Sequence, residues 1–140
     1  MADVSKGDLQ ALADARIREA QTLYSQALYS GAYYLAGYAV ELAIKACIAK
    51  HMRSGFIPDR NFVNRIYQHK PNKLIGLAGL RENLDNDVKN DPQLGGNWGL
   101  SCTWSEESRY SAWDATNTAA LISAISDPDH GVLQWLKRHY

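Results

Sequence analysis

Glu41 and Lys45 are the only charged residues between Ala32 and Ala49, in a run otherwise made of apolar, small and aromatic residues. They stand four apart, in the order that favours an ion pair along a helix. Charges in such surroundings need partners to offset their lost hydration. The pair therefore marks either a satisfied structural network or the floor of a polar pocket. Tyr34 and Tyr38 lie on the same stripe, one and two turns earlier. A second concentration follows. From Lys45 to Lys73 there are seven basic residues (Lys45, Lys50, Arg53, Arg60, Arg65, Lys70 and Lys73) against one acid, Asp59. His51, His69, Phe56, Phe62 and Tyr67 are interleaved among them. Basic side chains track phosphates and aromatic faces stack on bases, so Lys50, Arg53, Arg60, Arg65 and Lys70 form the best nucleic-acid patch. The plain alternative is a solvated loop, since a chain whose charges balance must be basic somewhere.

Other chemistries find less support. The four histidines, His51, His69, His130 and His139, share no helical spacing with another His, Cys or carboxylate that would make a ligand set, so neither a metal site nor a cofactor is expected. Cys47 and Cys102 lie far apart with no CxxC spacing, as in a reduced, cytoplasmic protein. Leu94-Gly95-Gly96-Asn97 lacks the lysine and the preceding strand of a phosphate loop, and there is no Gly-x-Ser-x-Gly elbow.

The elements that must position these residues read as helices throughout. Asp8 is an N-cap for a first helix, in which Leu9, Ala13, Ile17, Ala20, Leu23, Tyr24, Ala27 and Leu28 recur at three- and four-residue steps. Ser30 can cap the second helix, which runs from about Ala32 to Arg53. Being apolar nearly all round, it should be enclosed by other helices. The run is long enough to cross a bilayer, but Glu41 and Lys45 in its middle argue for a buried bundle helix instead. A short helix is expected over Phe62–Tyr67, one capped by Asn72 carrying Leu74, Ile75, Leu77 and Leu80, and another over Arg81–Lys89. Asp91–Gly99 is a loop on composition. Thr103 and Glu106 have the spacing of a capping box for a helix reaching Ser126. Asp127-Pro128 has the form of an N-cap with proline at the first helical position of a last helix. Trp98, Trp104, Trp113 and Trp135 fit a core or an interface better than a stacking platform.

Length and composition agree with this plan. The chain is long enough for one core and is read as a single domain over residues 1–140. Its 46% apolar and 21% charged residues are those of a globular protein, and a net charge of zero gives no bulk attraction to nucleic acid or membrane. The opening Met-Ala-Asp-Val-Ser-Lys-Gly-Asp has no apolar core and does not read as a secretory signal. The fold class expected is all-α, an antiparallel up-and-down bundle of four long helices plus short ones.

Two blocks then resemble the HEPN family, the higher-eukaryote and prokaryote nucleotide-binding domains. Ser30–Ala46 is similar to the family's second helix, an alanine-rich run ending in a Glu and, four residues on, a Lys-Ala pair. Glu107-Ser108-Arg109-Tyr110, with Gly131–Lys137 after one helix, is similar to its Arg-Tyr helix and closing amphipathic helix. His69 with Leu74, Leu77, Ala78, Gly79 and Leu80 resembles a segment common in prokaryotic members. The resemblance implies an up-and-down bundle, often a homodimer. It also implies binding of RNA or nucleotide, RNA cleavage, or toxin–antitoxin pairing with a small nucleotidyltransferase.

Family ribonucleases carry Arg-x4–6-His on one helix. Arg109 matches the arginine, but Asp114, Ala115 and Thr116 stand where the histidine should be. Arg65 and His69 are one residue short of the spacing, in the wrong segment. Arg109 is thus expected to join Tyr34, Tyr38, Glu41, Lys45 and Tyr110 around a ligand pocket, or to pair with buried Glu41. The reading that follows is a binding module for RNA, nucleotide or a partner protein, without catalysis of its own. The alternative is a metal-independent ribonuclease toxin, in which Arg109 works with His69 or His51 brought near in space.

Overall fold

Six consecutive residues of one helix, Ala39 to Ile44, are buried, which covers every face of an element with 3.6 residues per turn. That helix is α2, Tyr29–Ala49. It is the axis of the computed structural model, which describes residues 3–140; Met1 and Ala2, the start of the N-terminal stretch read above, lie outside the described residues. Ala32, Ala36, Ala43 and Ala46 let neighbouring backbones come close, while Val40, Leu42, Ile44 and Ile48 supply bulk. Each of these larger side chains contributes about 1.5–3 kcal/mol on burial before entropy is counted. By length and hydropathy alone α2 would suit a membrane, yet 72% of its most apolar window is buried inside the fold.

Every regular element among the described residues is helical. α1 (Lys6–Ser25) packs along α2 as an antiparallel hairpin. Then come α3 (Arg60–Ile66), α4 (Pro71–Leu77), α5 (Arg81–Asn90), α6 (Pro92–Ser101), a 3₁₀ helix (Glu106–Tyr110), α7 (Ala115–Ser126) and α8 (Val132–Lys137). α1, α4, α7, α8 and the 3₁₀ helix all pack on α2.

Helix ends account for most differences from the expected boundaries. α1 is capped by Ser5, not Asp8. The two form a reciprocal box in which Ser5 Oγ accepts from the Asp8 N–H and Asp8 Oδ2 from the Ser5 N–H, both at 3.0 Å. Ser30 caps nothing, because α2 already begins at Tyr29; its hydroxyl accepts from the Trp113 N–H at 2.9 Å. The α1–α2 turn is a Schellman motif, with the Leu28 N–H donating to Leu23 O and the Ala27 N–H to Tyr24 O. It places Ala27 in the left-handed region at φ 62°, where glycine is the usual occupant. Gly79 fills the same position at the end of α4, at φ 71°. Asn72 does not cap α4, which starts at Pro71; instead it accepts from Arg81.

Three expectations about the second half are corrected. Asp91–Gly99 is mostly helix, not loop. Asp91 Oδ1 accepts from the Leu94 N–H at 3.1 Å and Pro92 takes the first position, so the N-terminus is well made despite three glycines. Burial of Leu94 and Trp98 then offsets the glycines' entropy. The expected long helix from Thr103 to Ser126 is broken in two. Thr103 Oγ1 donates back to Leu100 O, Ser105 and Ser108 box the 3₁₀ helix instead, and α7 starts anew under an Asp114 cap. Trp113 holds the break open, its ring stacked on Tyr33 at 3.7 Å and its Nε1 donating to Ser108 O. Finally, Asp127 does not open the last helix. Its Oδ1 accepts from the Asp129 and His130 N–H groups in a tight turn, and α8 begins at Val132.

Candidate functional site

The polar residues of α2 meet the rest of the chain along one seam facing the 3₁₀ helix. Glu41 is 2% exposed, and its two oxygens are divided. Oε2 lies 3.4 Å from Lys45 Nζ, the pair anticipated from their spacing. Oε1 lies 2.7 Å from Nδ1 of His69. The other ring nitrogen of His69, Nε2, is 3.0 Å from Glu106 Oε2. One imidazole thus bridges a buried carboxylate on α2 and a half-exposed one on the 3₁₀ helix. Placing it there depends on Pro71, which starts α4 and sets the extended approach of Lys70 at ψ 118°.

Arg109 stands elsewhere, and the expected pairing with Glu41 does not form. Its guanidinium is exposed, 4.9 Å over the Tyr110 ring. The hydroxyls of Tyr110 and then Tyr34 push its pKa above the ordinary value. The partner of Glu41 is His69, a residue carried on the approach to α4, while the 3₁₀ geometry turns Arg109 outward. The ribonuclease pairing is not assembled either, since both ring nitrogens of His69 face carboxylates and His51 lies in an exposed loop. Tyr34 and Tyr38 stack in parallel at 6.0 Å, and Tyr34 tilts against Trp104. Burial, and after it the charge of Glu41, raises the pKa of Tyr38. Tyr110 is 77% exposed.

Beside this seam lies a cleft of about 580 Å³. Its lining comes from two segments, Tyr67, Gln68, His69, Lys70 and Lys73 from one and Cys102 to Glu107 from the other. Its volume falls in the usual range for small-molecule sites, about 300–1,000 Å³. The two segments differ in sign, Lys70 and Lys73 on one and Glu106 and Glu107 on the other. Trp104 is 1% exposed with Nε1 unpartnered, its ring laid against Gly37 so closely that a Cβ there would come within 2.2 Å of it. The Cys102 thiol is pushed up to about 11 by burial, so it is no nucleophile at neutral pH. Among the described residues no group of three or more His, Cys, Asp and Glu is arranged to hold a metal ion.

The basic segment leads straight into the cleft. All residues from Lys50 to Asn61 are exposed, as are Arg65 and Lys70. None of Lys50, Arg53, Arg60, Arg65, Lys70 and Lys73 enters an ion pair among the described residues. Asp59, the one acid among them, uses its carboxylate to cap α3 through the Phe62 N–H at 3.0 Å. Arg53 leans on Phe56 at 5.6 Å, and Lys50 Nζ reaches His139 O at 3.5 Å.

The sequence alone brought Glu41, Lys45, Tyr34 and Tyr38 into view together. It missed His69 as the partner of Glu41, Glu106 as the second partner of His69, and the cleft. The capping-box spacing was the one local signal at Glu106, and it pointed to a different role. No family model matches the chain, and neither a curated protein nor a solved structure matches it.

Proposed function

We propose that this chain is a HEPN-like binding module for RNA or nucleotide, without catalysis of its own. The observation that carries the reading is the row of six cations from Lys50 to Lys73, exposed, without an ion pair among the described residues, and ending with Lys70 and Lys73 in the lining of the cleft. Like charges held in water without carboxylate partners repel one another, and phosphates relieve that repulsion while releasing counterions. Phe56 and Tyr67 add exposed aromatic faces within the row. Lack of catalysis is supported by the commitment of both His69 nitrogens to glutamates, away from Arg109. The resemblance extends the proposal to a cytoplasmic homodimer and to pairing with a nucleotidyltransferase in a toxin–antitoxin arrangement.

Fluorescence anisotropy with labelled single-stranded RNA, at stepped salt concentrations, tests it. Binding should weaken steeply as salt rises. Changing Arg53, Arg60 and Arg65 together to Ala should weaken it by roughly tenfold or more, with each lost phosphate contact lowering the salt slope by about one. The RNA should be recovered intact. Salt-insensitive binding removes the patch as the contact surface. Cleavage that disappears with Arg109→Ala establishes the ribonuclease reading instead.

A further inference from the structure

Resting on the nucleotide-binding reading, we infer that the cleft between Lys70–Lys73 and Glu106–Glu107 selects guanine among the bases. The two lining segments ask for opposite things of a ligand. A carboxylate only accepts hydrogen bonds, and a lysine only donates them. Glu106 gives one oxygen to His69 Nε2, while Glu107, exposed on the same segment, has no hydrogen-bond or ion-pair partner among the described residues. A ligand seated here must therefore present donors to the glutamates and an anion to the lysines.

Among nucleotides, that pattern separates the bases. Guanine carries N1–H and N2–H₂ side by side, two donors matched to the two oxygens of one carboxylate. Adenine places the acceptor N1 at the equivalent point, so it would oppose a carboxylate lone pair to lone pair. Cytosine offers N4–H₂ beside the acceptor N3, and uracil a single N3–H between two carbonyls. The phosphate would fall to Lys70 and Lys73, which have no carboxylate partner among the described residues. Tyr67, an exposed residue of the same lining, supplies a stacking face. Free guanine nucleotide and a guanine within an RNA strand share this chemistry.

Calorimetric titration of the full chain with GMP, IMP and AMP tests the inference. GMP should bind about tenfold or more tightly than AMP, in keeping with the discrimination a bidentate base contact provides. IMP, which keeps N1–H but lacks the 2-amino group, should fall between. Glu107→Gln should cut the GMP preference to roughly threefold or less, because the amide replaces one acceptor by a donor. It should leave the melting temperature unchanged, since Glu107 is exposed and unpartnered. Lys70→Ala with Lys73→Ala should weaken GMP and AMP by the same factor. Equal affinity for GMP and AMP, a preference untouched by Glu107→Gln, or free arginine binding as well as GMP would each overturn the assignment. Guanine-containing and guanine-free RNA oligonucleotides separate the two sources. Preference for the former without GMP binding makes the strand the ligand, with Glu107→Gln again abolishing the preference. If both oligonucleotides bind equally and GMP does not bind, guanine selection is lost while the broader binding role stands; if no RNA and no nucleotide binds, both fall.

Discussion

Ile44 and Ile57 have the same side chain and opposite surroundings. Ile44 is wholly buried in α2, while Ile57 is 98% exposed in the loop that leads to α3. Around Ile44 every charged group has a partner, Glu41 being shared between Lys45 and His69. Around Ile57 the cations Arg53 and Arg60 have no carboxylate partner among the described residues. The first region uses its residues to hold the fold, and its one acid is neutralised in place. The second spends apolar and charged groups in water, where they do little for stability. Residues whose loss costs the fold nothing, yet which stay exposed and unpaired, are where binding is to be sought.

The widest separation between the regions should come from truncating those two isoleucines. Ile44→Ala should cost about 2–5 kcal/mol in urea unfolding, through lost burial and a cavity. Ile57→Ala should stay within about 0.5 kcal/mol of the parent. Equal costs would mean that the loop packs in solution and that the contrast is false. Next in size is Gly37→Ala. The added methyl would enter the Trp104 ring at 2.2 Å, and overpacking of this kind costs about 1–3 kcal/mol. Tryptophan fluorescence should shift with it, whereas Gly76→Ala, facing open space within α4, should leave the fluorescence unchanged and raise stability by about 0.5–1 kcal/mol. The smallest effect is expected where burial and exposure meet, at the His130–Asp91 contact of 2.8 Å. The side-chain hydrogen bond to Asp91 raises the His130 pKa above its ordinary value of 6.5. A raised histidine adds stability that is full below about pH 6.5 and fades as pH climbs through the folded value. Melting temperatures across that window should fall for the parent and fall less for His130→Gln. A parallel slope in both proteins would show that this pair is not the source.

How much of this was legible in the chain depends on how far apart the interacting residues lie. The alanine-rich run from Ala32 signalled a buried helix because its pattern repeats every turn. Glu41 with Lys45 was legible for the same reason, four residues being one turn. The partner of Glu41 was not. Arg109 was expected there and His69 takes the place, an outcome that rests on how Pro71 starts α4 and how the 3₁₀ helix turns Arg109 outward. The start of α6 was hidden by its glycines, although Asp91-Pro92 is a sound N-terminal pair. The break before α7 was hidden because Thr103 and Glu106 make a valid local cap that a stronger tertiary contact, Trp113 on Tyr33, displaces.

By itself, the order of residues determined that the chain is helical, that its second helix is central and that its cations gather between Lys45 and Lys73. These are matters of periodicity and local composition, settled within a few turns of backbone. Tertiary structure alone decided that His69 bridges Glu41 and Glu106, and that two lysines and two glutamates line one cleft. Those juxtapositions join residues from separate helices. Their energies depend on burial and on distances of about 3 Å, which no spacing along the chain specifies.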